Sequence, residues 1–461
     1  MKKIKSLDRL SSLPDSIIHH IFSNLEILEI MDTTSLLSKR WRYLWTSTPF
    51  LIFYLNRSND MYTELSFQEI ADRKWYVNFV NRVLLLRDPV SAIHKLDIYS
   101  EFSLDKDHLI TWLLGAMKRN VKELNLELHL DERFELPPVL FTSGITVFTV
   151  NNNMPSGDPK DTTICLPSTI CLASRIITLK LEYVKLPEGN AADGELVLSC
   201  PSLENLTILS CDDSHLKTLT ISAPNLKMLD FIHEIRYKDG FKIKICCRNI
   251  RSFTCFCGGN VDISLVDLVA LDSAHISISG KNSDKNLYAQ LLIKILRGIH
   301  NVRALTLSSG DLEEITNSSR TLEILRLFRN LRNITLNDFA ASGILSTFAM
   351  EKLLKTLPSI QAVVWDRAMS GPGILTGKGA DKGQKLPDQS VFSCLETVKI
   401  IDPTGLEDEH ELKFLEFLLE GATNLKELII TTTQGTIRTE FCQKLLELPR
   451  SSSSVSIHCL C

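Results

Sequence analysis

Residue types able to do covalent or metal chemistry are present in this sequence, but not at the spacings that chemistry requires. The nearest approach to a phosphate-binding loop is Gly371-Pro372-Gly373-Ile374-Leu375-Thr376-Gly377-Lys378-Gly379. Proline takes the place of the first required glycine, and Gly379 stands where a hydroxyl must hold magnesium, so a surface loop is expected. The densest thiol patch is Cys246-Cys247 followed by Cys255-Phe256-Cys257, with a lone His275 beyond. A zinc site wants paired C-x-x-C steps, or one such pair with two spaced histidines. The C-C and C-x-C spacing instead predicts small buried core residues. No H-E-x-x-H or G-x-S-x-G step occurs, and the 11 histidines are dispersed. His19-His20 are expected at the solvated edge of a helix. The acidic run Glu407-Asp408-Glu409-His410-Glu411 suits a first helical turn, where the helix dipole favours anions. These observations point to a chain with no catalytic constellation, no metal and no cofactor, one that works by binding.

The composition narrows what it binds. At 461 residues the chain exceeds one compact core and predicts two or three domains or a stack of repeats. A formal charge of −4 supplies no global field for nucleic acid or an anionic membrane, and neither partner is expected. Apolar runs such as Phe50-Leu51-Ile52-Phe53-Tyr54-Leu55 fall far below the ~18 residues of a membrane span. The basic start, Met1 to Lys5, leads into Ser6-Leu7-Asp8-Arg9 rather than an apolar stretch, so a secretory signal is not expected. Scattered cysteines suit a reducing compartment, and the expected location is cytoplasm, nucleus or both.

The elements that would carry the binding surfaces can be placed by periodicity. In residues 8–53, apolar groups recur at Pro14, Ile17, Ile18, Ile21, Phe22 and Leu25, a helical stripe that opens on a proline suited to a first turn. Ile30, Met31, Thr34 and Leu37 suggest a second helix, and Trp41, Leu44 and Trp45 share one face of a third, which stops at Thr48-Pro49. Three short helices with neither paired cysteines nor a metal pattern cannot bury so many large apolar groups alone. Two readings stay open on periodicity: the surplus packs onto the following domain, or it docks a partner.

The motifs Asp8-Arg9-Leu10-x-x-Leu13-Pro14-Asp15 and Leu36-Leu37-Ser38-Lys39-Arg40-Trp41-Arg42-Tyr43-Leu44-Trp45 together resemble the plant F-box signature in order and distance. The resemblance implies docking to a Skp-type adaptor and through it to a cullin–RING ligase. Carried over residue by residue, it makes Leu13, Pro14, Ile17, Ile18, Ile21, Leu36, Leu37, Trp41 and Trp45 the adaptor contacts, with Trp41 divided between the module's own core and the partner. The chain departs from the family where a Leu-Pro or Leu-Asp step is usual. It reads Leu25-Glu26-Ile27-Leu28-Glu29-Ile30, about one residue longer, so either the first helix runs on or the loop bulges.

Residues 56–74 turn polar and read as a linker, after which the stripe Trp75 to Leu85 predicts a helix opening a second domain. Beyond it the phrase L-x-x-L-x-L returns, as in Ile93 to Ile98, Val121 to Leu126, Ile176 to Leu181, Leu203 to Ile208, Leu226 to Phe231, Val302 to Leu307, Leu322 to Leu327, Leu395 to Ile400 and Leu425 to Ile430. Recurrence at about 20–30 residues is the mark of leucine-rich repeats, each of which buries its leucines only by stacking on its neighbours. The expected fold class is α/β: a three-helix F-box (1–55), a linker (56–74) and an irregular leucine-rich-repeat horseshoe (75–345) with helices on its convex side. Residues 346–461 resemble the FBD domain that ends many plant F-box proteins. The resemblance rests on Leu353-Leu354-x-x-Leu357-Pro358-Ser359-Ile360, Cys394 to Ile400 and Asn424 to Leu428, and implies one or two further repeats closing the solenoid.

On this reading the chain is a non-catalytic substrate receptor of an SCF-type ubiquitin ligase with an unknown protein target. The alternative is a repeat scaffold without a ligase role. In a strand the residue between two inward leucines faces outward. Target contacts on the concave face are therefore expected at Asp97, Asn125, Lys180, Thr207, Asp230, Thr306, Arg326 and Lys399.

Overall fold

The computed structural model describes residues 12–34, 36–54, 65–153, 163–233, 240–258, 261–279, 285–337, 347–366, 392–401, 409–431 and 439–460. The glycine-rich segment 371–379 and Asp8, Arg9 and Leu10 lie outside them. The chain divides into two compact units, Met1–Leu226 and Lys227–Cys461.

In the first unit, helix α1 (Asp15–Phe22) starts on Pro14, whose carbonyl accepts from the Ile17 and Ile18 amides. It stops at Ser23, and a short helix α2 (Ile27–Glu29) opens after Glu26. The first helix does not run on. The chain instead widens into a π turn over Ile30–Thr34, and such turns are a common way for a helix to absorb one extra residue. Helix α3 (Trp41–Leu44) tightens into a 3₁₀ turn, Trp45–Ser47, and leads directly into a strand, Phe50–Phe53.

That strand begins a parallel sheet continued by Lys95–Ser103, Glu123–His129, Val147–Asn152, Thr178–Glu182 and Asn205–Leu209. Inward residues alternate with outward ones, and Leu51, Leu96, Leu124, Phe148, Leu179 and Leu206 are fully buried. Each such side chain contributes roughly 1.5–3 kcal/mol. Against this core lie helix α4 (Leu65–Leu86) and helix α5 (Lys106–Met117). Helix α4 begins ten positions before Trp75, so residues 65–74, expected as linker, are helical. Tyr76 ties it to the sheet by donating to the Tyr99 carbonyl at 2.9 Å, and the Trp112 indole of α5 donates to Asn81 of α4 at 2.7 Å.

In the second unit the parallel sheet runs Met228–Ile232, Ser252–Gly258, Ser273–Ser279, Ala304–Ser308, Asn333–Asn337, Ala362–Asp366, Thr397–Ile401, Glu427–Thr431 and Ser456–Leu460. The region resembling an FBD domain thus adds strands to the same sheet as the repeats before it.

Two expectations need correction. The segments between the main strands are not helical throughout: Glu195–Leu198 pairs in parallel with Thr218–Ile221, and Lys242–Cys246 with Asp262–Val266. Leu322 to Leu327 is not a repeat strand either. Ser319–Leu325 is a helix, and Arg326 caps its C-terminus. Leucines at i and i+3 serve a helix as well as a strand. The strand of this repeat is Asn333–Asn337, and its outward residue is Thr335.

The helix Lys285–Gly298 packs so closely on Asp262–Val266 that a Cβ on Gly298 would stand 2.7 Å from the Leu265 Cβ. Both atoms are fixed by backbone, so Gly298→Ala should cost about 1–3 kcal/mol, read as a lower urea midpoint. Asp213 is 7% exposed, and burial, reinforced by Asp212, raises its carboxyl to about 7 from 3.8. The folded chain then holds a proton that the unfolded chain releases, and this part of the stability falls as pH rises from about 4 to about 7. Asp213→Asn should therefore raise the melting temperature at pH 8, and the gain should shrink towards pH 5.

Candidate functional site

The helical module divides its apolar residues between two directions. Ile18, Phe22, Ile27, Ile30 and Trp41 are at most 3% exposed, and Leu44 and Trp45 are also buried. The Trp41 ring meets Phe22 edge-on at 5.8 Å, a favourable aromatic geometry. These residues make the module's own core. Of the expected partner contacts, Ile18, Trp41 and Trp45 therefore point inward, because α3 closes over the inner face of α1.

The others face solvent. Leu36 is 84% exposed, Leu37 52%, Ile17 48% and Ile21 41%; Pro14 is also exposed and Leu13 half-buried. Tyr43, which sequence reasoning missed, is 66% exposed on α3. An exposed ion pair between Arg40 and Asp15 links α1 to the start of α3. His19 is half-buried rather than at a solvated edge. Burial, partly offset by a hydrogen bond to the Leu44 backbone, lowers its pKa, and its Nε2 lies 3.3 Å from the Ser47 hydroxyl. His20 is exposed.

The module is tied firmly to the repeats. The Arg87 guanidinium donates to the Thr48 carbonyl at 2.5 Å and to the Ala92 carbonyl at 3.2 Å. The Asp88 amide donates to Thr46, and the His94 and Lys95 amides to Pro49. Backbone contacts of this kind hold the module in fixed orientation to the first strands.

The outward strand residues form a row in each unit. In the first, Ile52, Asp97, Asn125, Thr149, Lys180 and Thr207 lie side by side. Several are already engaged: Asp97 accepts from Asn125 at 2.6 Å and pairs with Lys95 at 3.1 Å, while Lys180 pairs with Glu182 at 2.8 Å. Tyr54 stacks on Tyr99 at 4.2 Å, and burial with the Glu182 charge raises the Glu127 carboxyl. In the second unit the row contains Asp230, Thr254, His275, Thr306, Thr335 and Lys399. His275 packs edge-on to Phe256 at 4.5 Å, and burial lowers its pKa against the opposing pull of Asp230. Arg326 is absent from this row. Thr149, Thr254, His275 and Thr335 were missed because Phe, Cys, Ala and Ile replace leucine around them. An apolar residue at i, i+3 and i+5, whatever its type, was the signal that finds them.

The cysteine patch splits by strand alternation: Cys247, Cys255 and Cys257 are buried and Cys246 is exposed. Hydrogen bonding with Cys255 and burial raise the Cys257 thiol pKa well above its usual value. Among the described residues no group of three or more His, Cys, Asp or Glu side chains is placed to hold a metal ion, and no helix is long and apolar enough to cross a membrane.

Comparison with known proteins agrees with this architecture. An F-box domain model matches residues 10–53, and a family model described as At1g61320/AtMIF1, LRR domain, matches residues 91–456. The F-box/LRR-repeat protein At3g59210 of Arabidopsis thaliana is 27% identical over 449 residues, covering 92% of this chain and 88% of its own length. F-box/LRR-repeat protein At3g59200 of the same plant is 25% identical over 471 residues, covering 97% and 87%. A putative F-box/FBD/LRR-repeat protein, At1g66300, also from Arabidopsis thaliana, is 24% identical over 471 residues, covering 98% and 93%.

Proposed function

Because the chain belongs to the plant F-box/leucine-rich-repeat family, we propose that it is a substrate receptor of an SCF-type cullin–RING ubiquitin ligase. The observation that carries this reading is the exposure of Ile17, Ile21, Leu36 and Leu37 on a module whose inner core is already complete. Large apolar groups left outside a closed core favour a protein partner, here a Skp-type adaptor. The backbone ties through Arg87, Asp88 and His94 favour the same role, since a receptor must hold its target at fixed geometry to the ligase.

The target is held, on this reading, by the outward rows of the repeat strands, with Thr207, Asp230, Thr306, Thr335 and Lys399 among the contacts. Ubiquitin transfer belongs to other subunits, so this chain supplies no nucleophile. The acting location is cytoplasm or nucleus, where such ligases meet their targets. An FBD-like end closing the repeats fits the strands that residues 397–460 add to the sheet.

The test is co-purification of the whole chain with a Skp-type adaptor and cullin. Stoichiometric association is the expected result. A folded chain that fails to bind the adaptor would sink the ligase reading and leave a repeat scaffold.

A further inference from the structure

We propose that the strand-entry edge of the second unit recognises an extended acidic segment of a partner protein. The position just before each main strand is joined to the next by a backbone hydrogen bond. The Arg251 amide donates to the Lys227 carbonyl at 2.8 Å, Asp272 to Arg251 at 2.9 Å, Arg303 to Asp272 at 2.8 Å and Arg332 to Arg303 at 2.9 Å. Residues some 25 positions apart in sequence thereby become neighbours in one row: Lys227, Arg251, Asp272, Arg303, Arg332. Four are cations and one is an anion, although the chain as a whole carries −4.

The anion does not neutralise the row. Asp272 meets Arg303 at 3.6 Å with both side chains more than half exposed, an arrangement of little strength in water. Arg251 is exposed and makes no ion pair among the described residues. Arg332 donates to the Arg329 and Leu331 carbonyls, which fixes its guanidinium without cancelling its charge. The row borders a cleft of about 660 Å3 whose lining includes Arg251, Asp272, Arg303, Asn301 and Asn330. Cations and amide donors together line it, as a carboxylate ligand requires.

The length selects the occupant. Five neighbouring strands at roughly 4.8 Å spacing place Lys227 and Arg332 about 19 Å apart. An extended peptide covers that distance in about six residues. A nucleic acid fits poorly, because its unbroken line of phosphates would have to pass Asp272. A peptide can set an uncharged residue or a backbone N–H there and put carboxylates opposite Arg251 and Arg303. The row includes none of the residues proposed above for the adaptor or the target, and the inference does not depend on either.

The experiment uses the full chain and a fluorescent six-residue peptide with Asp or Glu at both ends and an uncharged centre, against the matched Asn/Gln peptide, by anisotropy. At low ionic strength the acidic peptide should bind, and binding should weaken as salt shortens the screening length to about 8 Å. Arg251→Glu with Arg303→Glu should weaken it at least tenfold with an unchanged melting temperature, both side chains being exposed. Lys74→Glu with Lys118→Glu, an equal change in net charge on exposed residues of the first unit, should not. No binding by the wild type, equal loss in the two variants, or retention of binding in the arginine variant would overturn the proposal. Displacement of the peptide by a lower concentration of duplex oligonucleotide would overturn the choice of a protein partner.

Discussion

Replacing Leu36 and Leu37 together by aspartate is expected to weaken adaptor binding at least a hundredfold while leaving the fold intact. Both side chains stand in solvent, at 84% and 52% exposure, so the substitution removes nothing from the module's core. In the complex the same positions are to be desolvated against the partner. Burying an unpaired carboxylate there costs several kcal/mol, which is enough for that loss. The contrast is Trp41→Ala. Trp41 is 3% exposed and packs on Phe22, so its truncation should cost about 3–5 kcal/mol of stability. It should abolish binding by unfolding the module rather than by removing a contact, and Trp45→Ala should behave similarly. Titration of the adaptor beside a thermal melt separates the two mechanisms. Leu36→Asp with Leu37→Asp binding at wild-type strength would remove this loop from the interface.

Asp311→Ala should be the most destabilising single change at a polar residue of the second unit. Asp311 is 1% exposed, and its carboxylate joins three elements. It accepts from the Ser308 hydroxyl at 2.7 Å, from the Ile278 amide at 3.1 Å and from the Tyr288 phenol. Ser308 in turn accepts from the Asp311 amide at 3.1 Å and caps the helix Ser309–Asn317, a reciprocal arrangement that satisfies the helix start. Alanine would leave two buried donors, the Ile278 amide and the Tyr288 phenol, without their acceptor, each costing about 1–3 kcal/mol, and would release the half-buried Ser308 hydroxyl. A total of about 3–5 kcal/mol is expected from these unmade hydrogen bonds. Tyr288→Phe removes one donor and leaves the others satisfied, so about 1 kcal/mol is expected. Urea midpoints give the order, and hydrogen exchange in residues 273–325 should rise first. A midpoint for Asp311→Ala equal to the wild type would show that the network contributes nothing.

The two sets of substitutions also mark where sequence reasoning stopped. Periodicity gives α1 a stripe of Ile17, Ile18, Ile21 and Phe22 but does not divide it. The division comes from Trp41, some 20 residues on, which closes on Phe22 and leaves Ile17 and Ile21 outside. Similarly, Leu322 and Leu325 fit a strand phrase and a helical turn alike, while Leu327, which only the strand phrase would bury, is 49% exposed. The helix forms there because Leu331, Ile334 and Leu336 supply the strand a few residues later.

Some properties followed from the chain alone. The paired motifs around Pro14 and Trp41 marked the helical module, and the apolar i, i+3, i+5 phrase marked the repeat strands, with the helix at Leu322 the exception. Both are local patterns, set by side-chain direction within a single turn or strand. Tertiary structure decided the rest: which apolar groups face solvent, where a second sheet replaces helices, how Asp311 gathers three donors, and which cations stand in a row. Those depend on contacts between residues tens of positions apart. Local periodicity carries no record of such contacts, because the register of one repeat against the next is fixed only when the cores stack.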